Sequence, residues 1–121
     1  YAKPDAGNLI ISPADKEMVD PYDAWADDET LAVGVESFQG VINVPIDRML
    51  SNWAGLRSFA PDGNLVIGPD KNNPSFFWFA GQGGYGFQTA AAASQLLSDL
   101  FLERTVSVER EILEALLPDR F

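Results

Sequence analysis

The strongest pattern of hydrophobic and polar positions lies in residues 76–102. An apolar, aromatic run of strand length leads into four glycines within positions 81–86. Good helix formers follow without glycine or proline, and apolar or small positions recur there at helical spacing: Phe87, Ala90, Ala91, Ser94, Leu97 and Phe101. The pattern predicts a strand, a glycine turn and a helix in succession.

Shorter patterns before this stretch predict two strands and a helix. Residues 8–12 are a short apolar run between glycine and proline, which is typical of a strand, and residues 1–3 predict an earlier strand joined to it by a turn. Asp27 or Asp28 can cap a helix over residues 29–41. Its inner face would carry Leu31, Val35 and Phe38.

The remaining segments complete an α+β fold, an antiparallel sheet with helices packed on it. Residues 44–60 alternate and predict a long strand, which the turn at residues 61–64 connects to a second arm at residues 65–67. A last helix is predicted over residues 108–117, ended by proline. Its buried side would be Ile112, Leu113, Leu116 and Leu117.

Composition and charge exclude several classes of function. The 121 residues are enough for one domain or a piece of one, and 46% hydrophobic content supports a core. With neither cysteine nor histidine, the chain has no disulfides, thiolate chemistry, zinc sites or histidine-based triads. A net charge of −10 argues against nucleic acid as a partner. No apolar run is long enough for a transmembrane segment, so we expect a soluble protein. The acidic charge suits a location in a bacterial cytoplasm or at the inner-membrane periphery, and we expect the cytoplasm.

The glycine turn is the first candidate site. Glycines have no Cβ, so a ligand can approach their backbone N–H groups, and the helix N-terminus that follows favours negative charge. Gly81, Gly83 and Gly86 match the G-x-G-x-x-G spacing of dinucleotide sites, which leaves a small NAD-type fold as one alternative. A turn that only packs strand against helix is another. Gln82 and Gln88 flank the turn and can hydrogen-bond a heteroaromatic ring or cap the helix.

Arg57 is the second candidate, since it lies in an otherwise apolar stretch just before the turn at residues 61–64. A guanidinium there is costly unless paired, and its planar fork suits a carboxylate bidentately. Its partner is either a ligand or one of the chain's own acidic side chains. No nucleophile and base occur at a recognisable spacing, so we assign no catalytic residue and no metal ligand. A cofactor is the natural source of any reactivity.

Two motifs resemble a known family. Residues 53–68 are W-A-G-L-R-S-F-A-P-D-G-N-L-V-I-G, and residues 77–89 are F-W-F-A-G-Q-G-G-Y-G-F-Q-T. Together they resemble the C-terminal part of the FAD-dependent D-amino acid oxidase family (glycine/D-amino acid oxidoreductases), and most of all its D-arginine dehydrogenase-like members. The likeness extends over nearly the whole chain.

The resemblance implies oxidation of an amino acid by hydride transfer from Cα to FAD, giving an imino acid that hydrolyses to a keto acid. It implies that Arg57 holds the substrate carboxylate and that Gly84, Gln88 and Tyr1 also face the substrate. The flavin ring would lie beside Gly83, Gly84, Tyr85, Gly86, Phe87 and Gln88. D-Arginine, other D-amino acids, glycine and N-methyl amino acids all stay open as substrates.

The resemblance also implies a partner. The family's pyrophosphate-binding fingerprint belongs to an N-terminal dinucleotide-binding part that is absent from residues 1–121, so we expect this chain to be the C-terminal portion that covers the substrate and the flavin ring. Alone, we expect it neither to bind FAD nor to be active, and its uncovered apolar surface can favour self-association. The alternative is a free-standing domain that binds an anion or another ligand without redox activity.

Overall fold

Two antiparallel strand pairs and three α-helices make up the regular structure of the chain, which confirms the predicted α+β class. The computed structural model describes residues 1–121 and divides into two units, Tyr1–Leu56 and Arg57–Phe121. Each unit contains one of the two strand pairs. None of the helices combines the length and the apolar character needed to cross a bilayer.

The first unit begins with the predicted hairpin. Strand β1 (Ala2–Asp5) pairs with strand β2 (Asn8–Ile11) in a register that places Ala2 opposite Ile11. The chain reverses through Ala6 and Gly7, whose φ angles are +46° and +81°. Two successive residues with positive φ suit a tight hairpin turn, which explains the glycine.

Helix α1 (Asp28–Val41) follows in the same unit and confirms the predicted helix and its cap. The Asp27 carboxylate accepts a hydrogen bond from the Thr30 backbone N–H at 2.8 Å, so it satisfies one of the free donors of the first turn. Gly34 is the buried residue of this unit. It packs closely against Pro13, since a Cβ at Gly34 would lie only 3.2 Å from Cδ of that proline. The predicted inner residues, Leu31, Val35 and Phe38, are half-buried.

Residues 42–60 contain neither helix nor strand, so the strand predicted over residues 44–60 is wrong. The turn at residues 61–64 does form, with the Gly63 N–H donating to the Ala60 carbonyl at 2.9 Å. Strand β3 (Val66–Pro69) then pairs downstream, antiparallel with strand β4 (Phe77–Ala80), rather than with residues before the turn. Alternation produces a strand only where a second strand supplies the hydrogen bonds, and the apolar run of β4 supplies them here.

Helix α2 (Gly86–Phe101) packs on β3 and forms the centre of the second unit. The core consists of Leu65, Ile67, Ala93 and Leu96, of which Ile67 is completely buried. The helix therefore buries a different face from the one that the pattern emphasised. Most residues of that other face are exposed, namely Phe87, Ala90, Ala91, Ser94 and Phe101.

Helix α3 (Arg110–Leu116) lies within two residues of its predicted bounds, and Pro118 begins a short 3₁₀ turn (Pro118–Arg120). Leu113 and Leu116 pack against the core as predicted. Ile112 does not, since 49% of its surface is exposed.

A buried arginine connects this C-terminal turn to the loop before β3. Arg120, whose side chain is only 12% exposed, donates from Nε and Nη2 to the two carboxylate oxygens of Asp62 at 2.7 and 3.1 Å. Its Nη1 donates to the carbonyls of Leu116 and Leu117, each at 2.9 Å, and Nη2 also reaches the Asn64 carbonyl at 3.3 Å. The fork therefore holds the end of α3 and the turn at residues 61–64 together.

We expect Ile67→Ala to lower the free energy of unfolding by about 2–5 kcal/mol, because it empties a fully buried position. Urea unfolding followed by circular dichroism measures the loss. The half-exposed Ile112→Ala is the matched control and should lose less than about 1 kcal/mol. Equal losses would contradict a core centred on β3.

The ion pair predicts a pH dependence of stability. The hydrogen bond from Arg120 lowers the pKa of Asp62 in the folded chain below the value of about 4 that an unfolded aspartate has. The pair therefore stabilises the fold above about pH 4, and this contribution is lost as the pH falls below that value. We expect the difference in unfolding free energy between the wild type and Asp62→Asn to shrink on acidification, measured by urea titrations. A pH-independent difference for Asp62→Asn would contradict the assignment.

Candidate functional site

The glycine turn between β4 and α2 has a backbone that requires glycine at two positions. Gly81 and Gly83 adopt φ angles of +67° and +53°, in the left-handed region. A Cβ at Gly83 would also lie 2.7 Å from Cε1 of Phe59, closer than atoms can approach. The turn is thus built to lie directly against the segment that precedes β3.

Two hydrogen bonds join that segment to the turn. The Gly83 N–H donates to the Ser58 carbonyl at 3.0 Å, and the Tyr85 hydroxyl donates to the Gly63 carbonyl. The Tyr85 ring meets the Phe59 ring edge to face, with centroids 6.4 Å apart. Tyr85 therefore has a structural role in this chain, whatever contacts it makes with a ligand.

Arg57 lies against the same turn. A Cβ at Gly84 would lie 3.2 Å from Nη1 of Arg57, so the guanidinium rests against the backbone of this glycine. Arg57 is exposed and makes no hydrogen bond or ion pair within the chain. The internal salt bridge that the sequence left open is therefore not formed, and the five N–H donors stay available.

The N-terminus of α2 adds a second source of positive potential beside Arg57. Its first main-chain hydrogen bond runs from the Thr89 N–H to the Tyr85 carbonyl at 3.0 Å, and no side chain caps the helix. The N–H groups of Gly86, Phe87 and Gln88 come before that bond, and such groups with the helix dipole favour an anion or a carbonyl oxygen. The Gln88 side chain is exposed and makes no hydrogen bond of its own.

A shallow depression of about 330 Å³ borders the same end of the helix. It is lined by Phe79, Gln82, Gly86, Ala90 and Ser94. The Nε2 atom of Gln82 is buried there without an acceptor, and a Cβ at Gly86 would lie 3.0 Å from Cβ of this glutamine. Phe79, Ala90 and Ser94 are not among the site residues predicted from the sequence. The small residues at 86, 90 and 94, each four apart, form a helical stripe that could have identified the depression.

The features of this end of α2 fit the edge of a flavin ring. A planar ring with carbonyl oxygens and ring nitrogens needs N–H donors and an apolar surface. The N-terminus of α2 supplies the N–H donors, and Phe79 with Ala90 supplies the apolar surface. The Cβ sides of Gly83, Gly84 and Gly86 face Phe59, Arg57 and Gln82 of this chain, so these glycines bring the turn close to those side chains. The residues present are therefore compatible with the cofactor that the resemblance implies.

The last predicted site residue, Tyr1, belongs to the first unit. Its side chain is exposed, and its ammonium group donates to the Ser12 carbonyl at 2.9 Å at the end of the β1–β2 hairpin. That unit also contains an open groove of about 510 Å³ beside α1, lined mainly by α1 and by Ile46, Arg48 and Met49. None of the predicted site residues lines this groove.

The strand pairing contradicts the NAD-type alternative. That fold needs parallel strands around the glycine turn, whereas β4, which leads into the turn, pairs antiparallel with β3. The G-x-G-x-x-G spacing is therefore not the fingerprint of a small dinucleotide fold in this chain.

Comparison with known proteins shows the family of the chain. The family model for the FAD-dependent oxidoreductases known as DAO matches residues 1–100. A D-amino acid dehydrogenase of Sinorhizobium medicae (strain WSM419) is 32% identical over 59 residues, which are 49% of this chain and 14% of that protein. The matched part is thus about one-seventh of the relative's length. On the match over residues 1–100, the chain belongs to the DAO family of FAD-dependent oxidoreductases.

Proposed function

We propose that this chain contributes the carboxylate-binding and flavin-facing surface of an oxidoreductase that oxidises the Cα–N bond of an amino acid. A D-amino acid, including one with a cationic side chain such as D-arginine, is the substrate class that we favour. The observation that carries the proposal is the unpaired Arg57 guanidinium resting on Gly84, beside the uncapped N-terminus of α2.

Arg57 is the group that binds the substrate. Its planar fork can donate two parallel hydrogen bonds to an amino-acid carboxylate, which fixes both the position and the orientation of the Cα–H bond. The missing Cβ of Gly84 lets this guanidinium lie against the backbone of the glycine turn, close to the α2 N-terminus. The exposed Gln88 amide, on the first turn of α2, is available to help orient the substrate. The family resemblance also implies a substrate contact for Tyr1, and we include it in the proposal.

The same surface stabilises negative charge. FAD, when bound, supplies the two-electron acceptor that the chain itself lacks. The N–H groups of Gly86, Phe87 and Gln88 at the α2 N-terminus would favour added negative charge on the pyrimidine side of such a ring. The amino acid loses a hydride from Cα and a proton from its nitrogen, and water then hydrolyses the imino acid to a keto acid and ammonia.

The class of reaction is tested on the full-length gene product. We expect the purified protein to show flavin absorbance in the visible range, which bleaches under anaerobic conditions when one of D-arginine, D-alanine, glycine or sarcosine is added. The substrate that bleaches it identifies the specificity. A colourless protein that gains no flavin absorbance with added FAD would refute the redox function and favour a ligand-binding domain instead.

The role of Arg57 is tested in the same protein. We expect Arg57→Ala to lower kcat/KM for the amino acid by about 30- to 1,000-fold, because a charged bidentate anchor contributes roughly 2–4 kcal/mol. Arg57→Lys should recover only part of this loss, since an ammonium group cannot form the planar fork. The control is Arg104→Ala, an exposed arginine elsewhere in the second unit. A change of less than about threefold for Arg57→Ala would rule out the carboxylate clamp.

A further inference from the structure

Arg120 has the most extensive side-chain hydrogen bonding in the second unit, although its position in the sequence is outside both motifs of the site. Its five contacts run to Asp62, to Asn64 and to two carbonyls at the end of α3. The guanidinium also lies 4.3 Å from the centre of the Phe121 ring, which covers it. A side chain that uses its whole fork in this way is held rigidly.

The turn at residues 61–64 does not need Arg120 in order to form. It has its own hydrogen bonds, from the Gly63 N–H to the Ala60 carbonyl at 2.9 Å and from the Asn64 N–H to Asp62 Oδ1 at 3.1 Å. The additional bonds from Arg120 instead determine where the turn lies relative to α3 and the core. Their effect is on position rather than on local conformation.

The position of that turn is transmitted directly to the glycine turn. The Asn64 carbonyl and the Ala60 nitrogen would lie 3.2 and 3.4 Å from a Cβ at Gly81, so the two turns are in close backbone contact. The Gly63 carbonyl accepts the Tyr85 hydroxyl at the other end of the same contact. Both turns therefore move together if either one moves.

Arg57 lies three residues before Ala60 on the segment held in this way. Its neighbour Ser58 accepts the Gly83 N–H at 3.0 Å, and its own guanidinium rests on Gly84. A shift of the 61–64 turn would thus change the direction in which Arg57 points and its distance from the α2 N-terminus. A bidentate hydrogen bond to a carboxylate depends on the geometry of both partners, so a displaced guanidinium would bind the carboxylate more weakly.

We propose that Arg120 is a positioning residue: by holding the turn at residues 61–64 through Asp62, it holds Arg57 in the orientation that binds the substrate carboxylate. This inference rests on the proposed function of Arg57. It assigns to the C-terminal turn of the chain a role in substrate affinity, not only in stability.

The test uses the full-length gene product, assayed well below the melting temperature of every variant. Arg120→Met keeps an unbranched apolar stem and removes the fork, and Arg120→Lys keeps the charge. We expect Arg120→Met to raise KM for the amino acid, and the inhibition constant of the corresponding keto acid, by about 5- to 50-fold with kcat changed less than about threefold. Arg120→Lys should restore part of this affinity, and Asp62→Asn should resemble Arg120→Met.

Arg110→Met is the matched control. Arg110 also forms an ion pair in the second unit, with Glu114 at 2.6 Å, but its side chain is 89% exposed and it contacts neither turn. We expect its KM and inhibition constant to stay within about twofold of wild type. A lower melting temperature for Arg120→Met, with KM and the inhibition constant unchanged, would reduce Arg120 to a structural residue and overturn the proposal.

A double-mutant cycle separates this inference from the function on which it rests. With Arg57→Ala already present, adding Arg120→Met should weaken keto-acid binding by less than about twofold, because the group that Arg120 positions is gone. Binding is followed by the change in flavin absorbance, so the result does not depend on turnover. Multiplicative effects of the two substitutions would overturn the positioning role alone. No effect of Arg57→Ala by itself would instead refute the proposed function.

Discussion

The contact between residues 57–64 and the glycine turn is the constraint on which the rest of the second unit depends. Two hydrogen bonds and two close backbone approaches hold these stretches together, and neither stretch is a helix or a strand there. Residues without regular structure keep a fixed geometry only where other groups satisfy their backbone hydrogen bonds. Here the Gly83 N–H binds the Ser58 carbonyl and the Tyr85 hydroxyl binds the Gly63 carbonyl. Because β3 follows one stretch and α2 follows the other, the same contact aligns the core with the site.

Local chemistry made several parts of this fold predictable. The aspartate cap of α1, the proline after α3 and the glycine-rich turn depend on residues that are neighbours in sequence, so their signals do not need the rest of the fold. The same holds for the assignment of Arg57 as an unusual charge, since its apolar neighbours are adjacent to it. Its position over Gly84 could be expected only from the family resemblance, because 27 positions separate the two residues.

The strand predicted over residues 44–60 and the predicted buried face of α2 were wrong for a different reason. In both cases the sequence pattern is equally compatible with two packing partners. Residues 44–60 and β4 were both suitable partners for β3, and local alternation could not rank them. Helix α2 is apolar on two faces, so its periodicity did not show which face lies on the sheet. The buried stripe is the one with compact aliphatic residues, and the stripe with Phe87 and Phe101 lies outside. Tertiary packing decides both cases, and it acts between residues distant in sequence.

Electrostatics explain why Arg57 can serve a ligand in so acidic a chain. The net charge of −10 would disfavour a carboxylate at long range, but exposed charges more than about 8 Å apart are largely screened at physiological ionic strength. The local balance therefore decides, and the acidic residue nearest to Arg57 in sequence is Asp62. Asp62 has both carboxylate oxygens bound by Arg120, so it is not available to neutralise Arg57. Arg120 thus binds the Asp62 carboxylate, and Arg57 remains open to a carboxylate from a ligand.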